Sequence, residues 1–413
     1  MRLGIVLLFG AGLVCPLRAE NWPGWRGPRG NGHSAEKQVP LRWSPTENVR
    51  WKVALPAPGN SSPIVWGDRV FITQANKSGD TRSLLCFERT EGKKLWQADV
   101  TFEGKEDTHQ TNPYCSATPV TDGERIVVSH GSAGMHCYDF AGKERWHKDL
   151  GKLQHIWGNA SSPILYDNLA ILWCGPGERQ FLLAVDKKTG KEVWRHDEPG
   201  GSSGKNKPWI GSWSTPIVVK VQGREELILS VPEKVKGFDP KTGKELWSCS
   251  GLGKLVYTSP ACSEDGIVIS LAGYGGPGLA VRAGGNGDVT ATHRLWHHAK
   301  RNPQRIGSPL IIGSRAYLIN EPGQGSCFDL PTGKDLWKQQ RTTSRTWGSL
   351  VYAAGRLYVT NVGGETIVLE PGPTPKILAR NRLGETVRAS LAVSEGEFFL
   401  RSYNHLWCIS DKK

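Results

Sequence analysis

The residues with chemical reach are few in this chain, and their spacing suits little chemistry. His293, His297 and His298 form the densest imidazole group. His293 and His297 lie four apart on a segment that reads as a strand. They share a face but stand about 13 Å apart at a typical strand rise, too far for one metal ion. Glu106, Asp107 and His109 fall in a long loop and read as a solvated group. Gly273-Tyr274-Gly275-Gly276-Pro277-Gly278 matches G-x-G-x-x-G by letter. It leads into a strand, so no helix N-terminus awaits a phosphate. No Ser/His/Asp set, zinc spacing or Cys-x-x-Cys-His occurs. The sequence assigns no catalytic residue, no cofactor and no metal ligand.

A different group stands out by position. Asn60, Asn159, Trp213, Tyr257, Arg305, Trp347 and Arg388 each sit just ahead of a triplet of small residues. Arg beside aromatic rings can hold an anionic, planar or carbohydrate-like ligand. The triplets are Ser61-Ser62-Pro63, Ala117-Thr118-Pro119, Ser161-Ser162-Pro163, Ser214-Thr215-Pro216, Thr258-Ser259-Pro260, Gly307-Ser308-Pro309, Gly348-Ser349-Leu350 and Ala389-Ser390-Leu391. They are spaced 41 to 56 residues apart. About 30 residues after each comes a turn, usually Gly-Lys, then a tryptophan: Trp96, Trp146, Trp194, Trp247, Trp296 and Trp337, with Leu378 in the seventh unit. Trp51 precedes the first triplet on an orphan strand that can complete the eighth unit.

Turn pairs such as Asp122-Gly123, Asp265-Gly266 and Glu395-Gly396 permit positive φ, as two-residue hairpins require. Four short strands per unit of this length predict an all-β, eight-bladed propeller, closed around Trp51. Small side chains suit the crowded innermost strands. The seven tryptophans (Trp51 and the six above) are expected to dock neighbouring blades, each indole N–H finding a backbone carbonyl.

Residues 1–19 read as a signal peptide cleaved near Ala19, 20–47 as a leader, and 48–413 as the propeller. No later stretch is long and apolar enough to span a bilayer. The formal charge of +13 falls to +11 without Arg2 and Arg18, and its basic residues are scattered, against a nucleic-acid partner. Cys86, Cys137, Cys327 and Cys408 recur at one place in four units, with Ala184 and Gly237 near it in others. A small buried slot explains them better than disulfides.

Asp186-Lys187-Lys188-Thr189-Gly190-Lys191-Glu192-Val193-Trp194 and its copy ending at Trp247, paired with the small-small-Pro strands, resemble the pyrroloquinoline-quinone-type (PQQ-like) propeller repeat. Asn21-Trp22-Pro23-Gly24-Trp25-Arg26-Gly27-Pro28 looks like the leader of exported bacterial members of that superfamily. The resemblance implies either a quinoprotein dehydrogenase or a scaffold of the BamB type, which binds no quinone. A quinoprotein would show an axial Asp, a Ca²⁺ cage and adjacent cysteines, and the innermost strands hold Ser, Thr and Pro instead. The expectation is a monomeric, periplasmic or secreted, non-enzymatic propeller. Its axial mouth or one face would hold a protein, peptide or envelope polymer. A quinoprotein oxidoreductase with a divergent site is the alternative.

Overall fold

The computed structural model describes residues 20–201, 209–299, 302–337 and 340–411. The expected signal peptide lies outside these residues, as do residues 202–208. The described chain is almost wholly strand and turn. It forms eight sheets of four antiparallel strands, numbered here as blades one to eight from the first triplet, and one two-residue parallel pair, Gly211–Ser212 with Leu255–Val256. Blade one runs through Ile64–Trp66, Arg69–Ala75, Thr81–Glu88 and Lys94–Thr101, innermost strand first. Blade four carries an extra two-residue strand, Gly287–Asp288, beside Glu245–Ser250. Blade eight takes Ala392–Ser394, Glu397–Arg401 and His405–Ile409 from the C-terminal part. Its outermost strand is Val49–Ala54, antiparallel to His405–Ile409.

The core is a set of apolar layers between blades. Alternate side chains of a strand point to opposite faces. In Leu169–Cys174, Ala170, Leu172 and Cys174 therefore pack with blade two, while Ile171 and Trp173 pack with blade four. Hairpins between first and second strands use positive φ as the sequence implies: 51° and 76° at Glu395 and Gly396, 50° and 85° at Gln222 and Gly223.

The repeated cysteines explain themselves in this geometry. Cys86, Cys137 and Cys408 pair across the ladder with Trp96, Trp146 and Trp51. Ala184, Gly237 and Ala280 hold the same place opposite Trp194, Trp247 and Trp296. At Gly237 a Cβ would stand 2.3 Å from the indole nitrogen of Trp247, so glycine is required there with the ring in this position. All eight described cysteines are free.

Six of the seven outer tryptophans reach into the next blade. The indole N–H of Trp51, Trp96, Trp146, Trp194, Trp296 and Trp337 donates to the carbonyls of Arg89, Phe140, Lys187, Pro240, Leu330 and Gly372, at 2.7 to 3.1 Å. For Trp51, Trp96, Trp146, Trp194 and Trp296 the ring then covers the glycine of that blade's turn. A Cβ on Gly142 or Gly190 would lie 2.7 Å from Trp96 or Trp146, and both glycines have positive φ. Two tryptophans depart from the expectation. Trp247 donates to the buried carboxylate of Glu226 at 2.7 Å, within its own blade, instead of to a carbonyl. Trp337 lies in a bend before the short strand Gln340–Arg341, not on the outermost strand.

The segment ahead of Val49 crosses the end of the axis where the innermost strands turn. Trp22 exchanges two backbone bonds with Val65 at 2.9 Å, and Pro23 accepts from Thr121 N–H. On the far side, the His33 ring bonds Ile311 O at 2.7 Å; back beside blade one, Ser394 Oγ of blade eight donates to Glu20 O. Arg26 is buried at its centre, donating to the carbonyls of Asn31 and Pro309. Burial pushes its guanidinium down to about 9.

Candidate functional site: the axial cavity

With one end crossed by this segment, the axis keeps a cavity of about 510 Å³. Trp25 lines it from the leader. Its girdle is the second residue of every triplet: Ser62, Thr118, Ser162, Thr215, Ser259, Ser308, Ser349 and Ser390.

These eight residues form a closed circle of hydrogen bonds. The backbone N–H of Ser62 donates to Thr118 Oγ1, that of Thr118 to Ser162 Oγ, and that of Ser162 to Thr215 Oγ1. The series continues through Ser259, Ser308, Ser349 and Ser390, whose N–H returns to Ser62 Oγ at 3.0 Å. All eight bonds measure 2.8 to 3.0 Å. A hydroxyl has one O–H donor and two acceptor lone pairs. Each here accepts one bond from the neighbouring blade, and none donates to an atom of the described residues. Eight O–H donors therefore remain free toward the cavity.

Above this circle stand the loops that lead into the triplets. Five of the seven rim residues named from sequence line the cavity: Asn60, Trp213, Tyr257, Trp347 and Arg388. Two do not. Asn159 turns its amide to Glu106 Oε1 at 3.0 Å. Arg305 is buried, its guanidinium donating to Gly276 O at 3.0 Å, so it braces the glycine-rich loop rather than the mouth.

One wall is aromatic. Trp213 meets Tyr257 edge-on at 5.1 Å, and Trp157 meets Trp209 at 4.7 Å. His155 stands edge-on behind Trp213 at 4.9 Å, and burial pushes its imidazole down to about 4. The other side carries charge. Arg388 lies 4.8 Å over the Trp347 ring and 5.0 Å over Tyr403. Arg388 Nε and the Trp347 indole N–H are buried without a protein partner. Burial and the Arg345 charge both press the Arg388 guanidinium below its usual range. Arg345 also lines the mouth and pairs with Glu321.

Sequence reasoning missed Trp157, Trp209, Tyr274, Trp25 and Arg345. Trp157 and Arg345 sit only a few residues further upstream of their triplets than Asn159 and Trp347. The signal was there in a wider window. The Glu106 loop is not solvated as expected. Glu106 is buried, ion-paired with Arg82 at 3.2 Å and accepting Ser132 N–H at 2.6 Å. This loop places His109 in the cavity wall. The other histidines stand apart in their contacts: His297 bonds Gly251 O, while the His298 ring lies 4.6 Å from Trp296.

The profile of the family described as outer membrane protein assembly factor BamB matches residues 42–113, 80–254 and 323–413, more than half of the chain. The chain belongs to this PQQ-like, BamB-type propeller family. Among curated proteins, BamB of Alkalilimnicola ehrlichii is 25% identical over 148 residues, 35% of this chain and 34% of that one. Tetrathionate hydrolase of Acidithiobacillus ferrooxidans is 22% identical over 365 residues, 82% of this chain and 62% of that one. The chain thus spans between a third and two thirds of these relatives. Among solved structures, BamB of Moraxella catarrhalis superposes with a TM-score of 0.62 at 13% identity, over 87% of this chain and 98% of that one. Quinohemoprotein alcohol dehydrogenase of Comamonas testosteroni gives 0.65 at 11% identity, over 94% and 80%. At these identities the likeness is one of fold.

A calcium-held quinone asks for carboxylate and amide oxygens around the ion. Among the described residues lining the cavity of this BamB-type propeller, none is Asp or Glu. The lining does not fit such a group. The carboxylates of Glu198 and Glu245 lie with His196 on the outer strands, and there the Lys236 ammonium already sits 2.5 and 3.0 Å from them. No described helix is long and apolar enough to cross a membrane.

Proposed function

We propose that this chain is an exported, non-enzymatic binding propeller that holds its ligand in the axial mouth. The ligand is a protein segment, peptide or envelope polymer, and the site is the periplasm or cell exterior. One observation carries the reading. Among the described lining residues the mouth offers hydrogen-bond donors, cations and aromatic faces in quantity, with no carboxylate and with His109 as the one imidazole. Concave sites lined by aromatics with a few placed polar groups are binding sites by default. Names of relatives support this in part: two BamB assembly factors match, beside one hydrolase. The test compares partner capture from envelope extract by the wild-type chain and by a Trp213→Ala/Trp347→Ala/Arg388→Ala variant of matched thermal stability. Loss of the same partners supports the mouth. Unchanged partners remove it as the site.

A further inference from the structure

The circle of hydroxyls has a chemical consequence for what the mouth can take. Its eight Oγ atoms each accept one bond, and all eight residues line the cavity, which leaves their O–H groups the axis to donate into. Arg388 and Trp347, which line the same cavity, each bury a donor with no described partner, Nε and Nε1. A buried donor without a partner is costly, so the cavity favours an occupant rich in acceptors. Two guanidinium groups, Arg345 and Arg388, set the sign of its charge, and only Arg345 has a carboxylate partner. The opposite wall of Trp157, Trp209, Trp213 and Tyr257 offers flat apolar faces.

An occupant that meets all three must carry acceptors around its perimeter, a negative group and an apolar face. A sugar ring bearing an acidic substituent has this make-up. A peptide terminus is less suited. Peptides gain affinity by adding main-chain bonds to a sheet edge. At the girdle the backbone N–H groups are already committed to the next blade's hydroxyls, so no ladder is open there.

We infer that the axial cavity binds an acidic saccharide. Its apolar ring face lies against the tryptophan wall, and its carboxylate or sulfate ester lies toward Arg388 and the hydroxyl circle. This rests on the axial mouth being the binding site.

The experiment is calorimetric titration of the chain with trigalacturonate, a sulfated trisaccharide of similar size, neutral cellotriose, inorganic sulfate, and the peptide Ala-Ala-Phe with a free carboxylate. At least one acidic trisaccharide binds 10-fold or more tighter than cellotriose, and which one identifies the substituent. Arg388→Gln, with an unfolding midpoint close to wild type, lowers that affinity about 10-fold and leaves cellotriose unchanged. Trp347→Phe keeps the ring, removes one donor, and weakens the acidic ligand several-fold. Equal binding of neutral and acidic sugars, tighter binding of the peptide or of sulfate alone, or binding of no sugar overturns the inference. The two readings fail separately. If no sugar binds but mouth variants still lose their envelope partners, the ligand class falls and the mouth stands. If mouth variants keep every partner, the mouth itself falls.

Discussion

The backbone N–H of Ser390 donates to the hydroxyl of Ser62 at 3.0 Å, across 328 residues of chain. This single bond closes the eightfold circle. It joins the first triplet to the last, independently of the strand pairing of Val49–Ala54 with His405–Ile409 in blade eight.

Removing that acceptor leaves the buried Ser390 N–H without its partner. Ser62→Ala is expected to lower unfolding free energy by about 1–3 kcal/mol. Ser62→Thr keeps the oxygen, as Thr118 and Thr215 already do in the same circle, and is expected to cost less. Urea unfolding of both variants checks the pair. Equal losses would show that the hydroxyl does not matter to closure.

The tryptophans divide into two kinds. Trp146→Phe gives up a neutral bond to Lys187 O, worth about 1 kcal/mol. Trp247→Phe strips a donor from a fully buried carboxylate, Glu226, whose other oxygen holds Arg224 at 2.5 Å. Charge-assisted bonds are roughly twice as strong, so about 2–3 kcal/mol is expected. Measured unfolding in the reverse order would contradict this account of blade four.

His155 makes stability depend on pH. Its folded-state pKa is depressed to about 4 by burial, while an unfolded histidine titrates near 6.5. The unfolded chain therefore binds the extra proton in this window. Its contribution is fully present above about pH 6.5 and is lost as pH falls toward 4. His130, held well below the usual range by its burial, acts with the same sign. Imidazole resonances followed by NMR should show His155 uncharged at pH 6. A midpoint near 6.5 would mean that the ring behind Trp213 is open to water.

The thiols should be silent. Burial pushes Cys86 and Cys137 up to about 12 and Cys327 to about 11. A thiol-specific reagent is expected to label few or none of the eight described cysteines in the native chain and all eight after denaturation. A lower count in denaturant without reductant would reveal a disulfide.

Much of the architecture is legible in the residues. Triplets, turns and tryptophans repeat at blade length because each blade solves the same packing problem, and this sets blade number and strand order. The small residue opposite each tryptophan is legible for the same reason, since Cys86, Ala184 and Gly237 answer one steric demand. The site is less so. Ser and Thr at the second triplet position read as mere smallness, because each hydroxyl's partner lies a whole blade or the whole propeller away. Arg305 and Trp347 look alike from sequence. Loop conformation alone turns one into a brace for Gly276 and leaves the other facing the cavity. Trp337 shows the same limit, since its indole finds Gly372 O although its backbone leaves the strand.

The claim that the axial mouth is the binding surface is tested most directly by site-specific photo-crosslinking in the cell envelope. A photoreactive phenylalanine analogue replaces the exposed Trp209 or Tyr274 at the mouth, or, as a control, Leu95 on the outer strand of blade one. The account predicts adducts from both mouth positions, lost when Trp347→Ala and Arg388→Ala are added, and none specific to Leu95. Adducts from Leu95 alone, or mouth adducts indifferent to those substitutions, would contradict it.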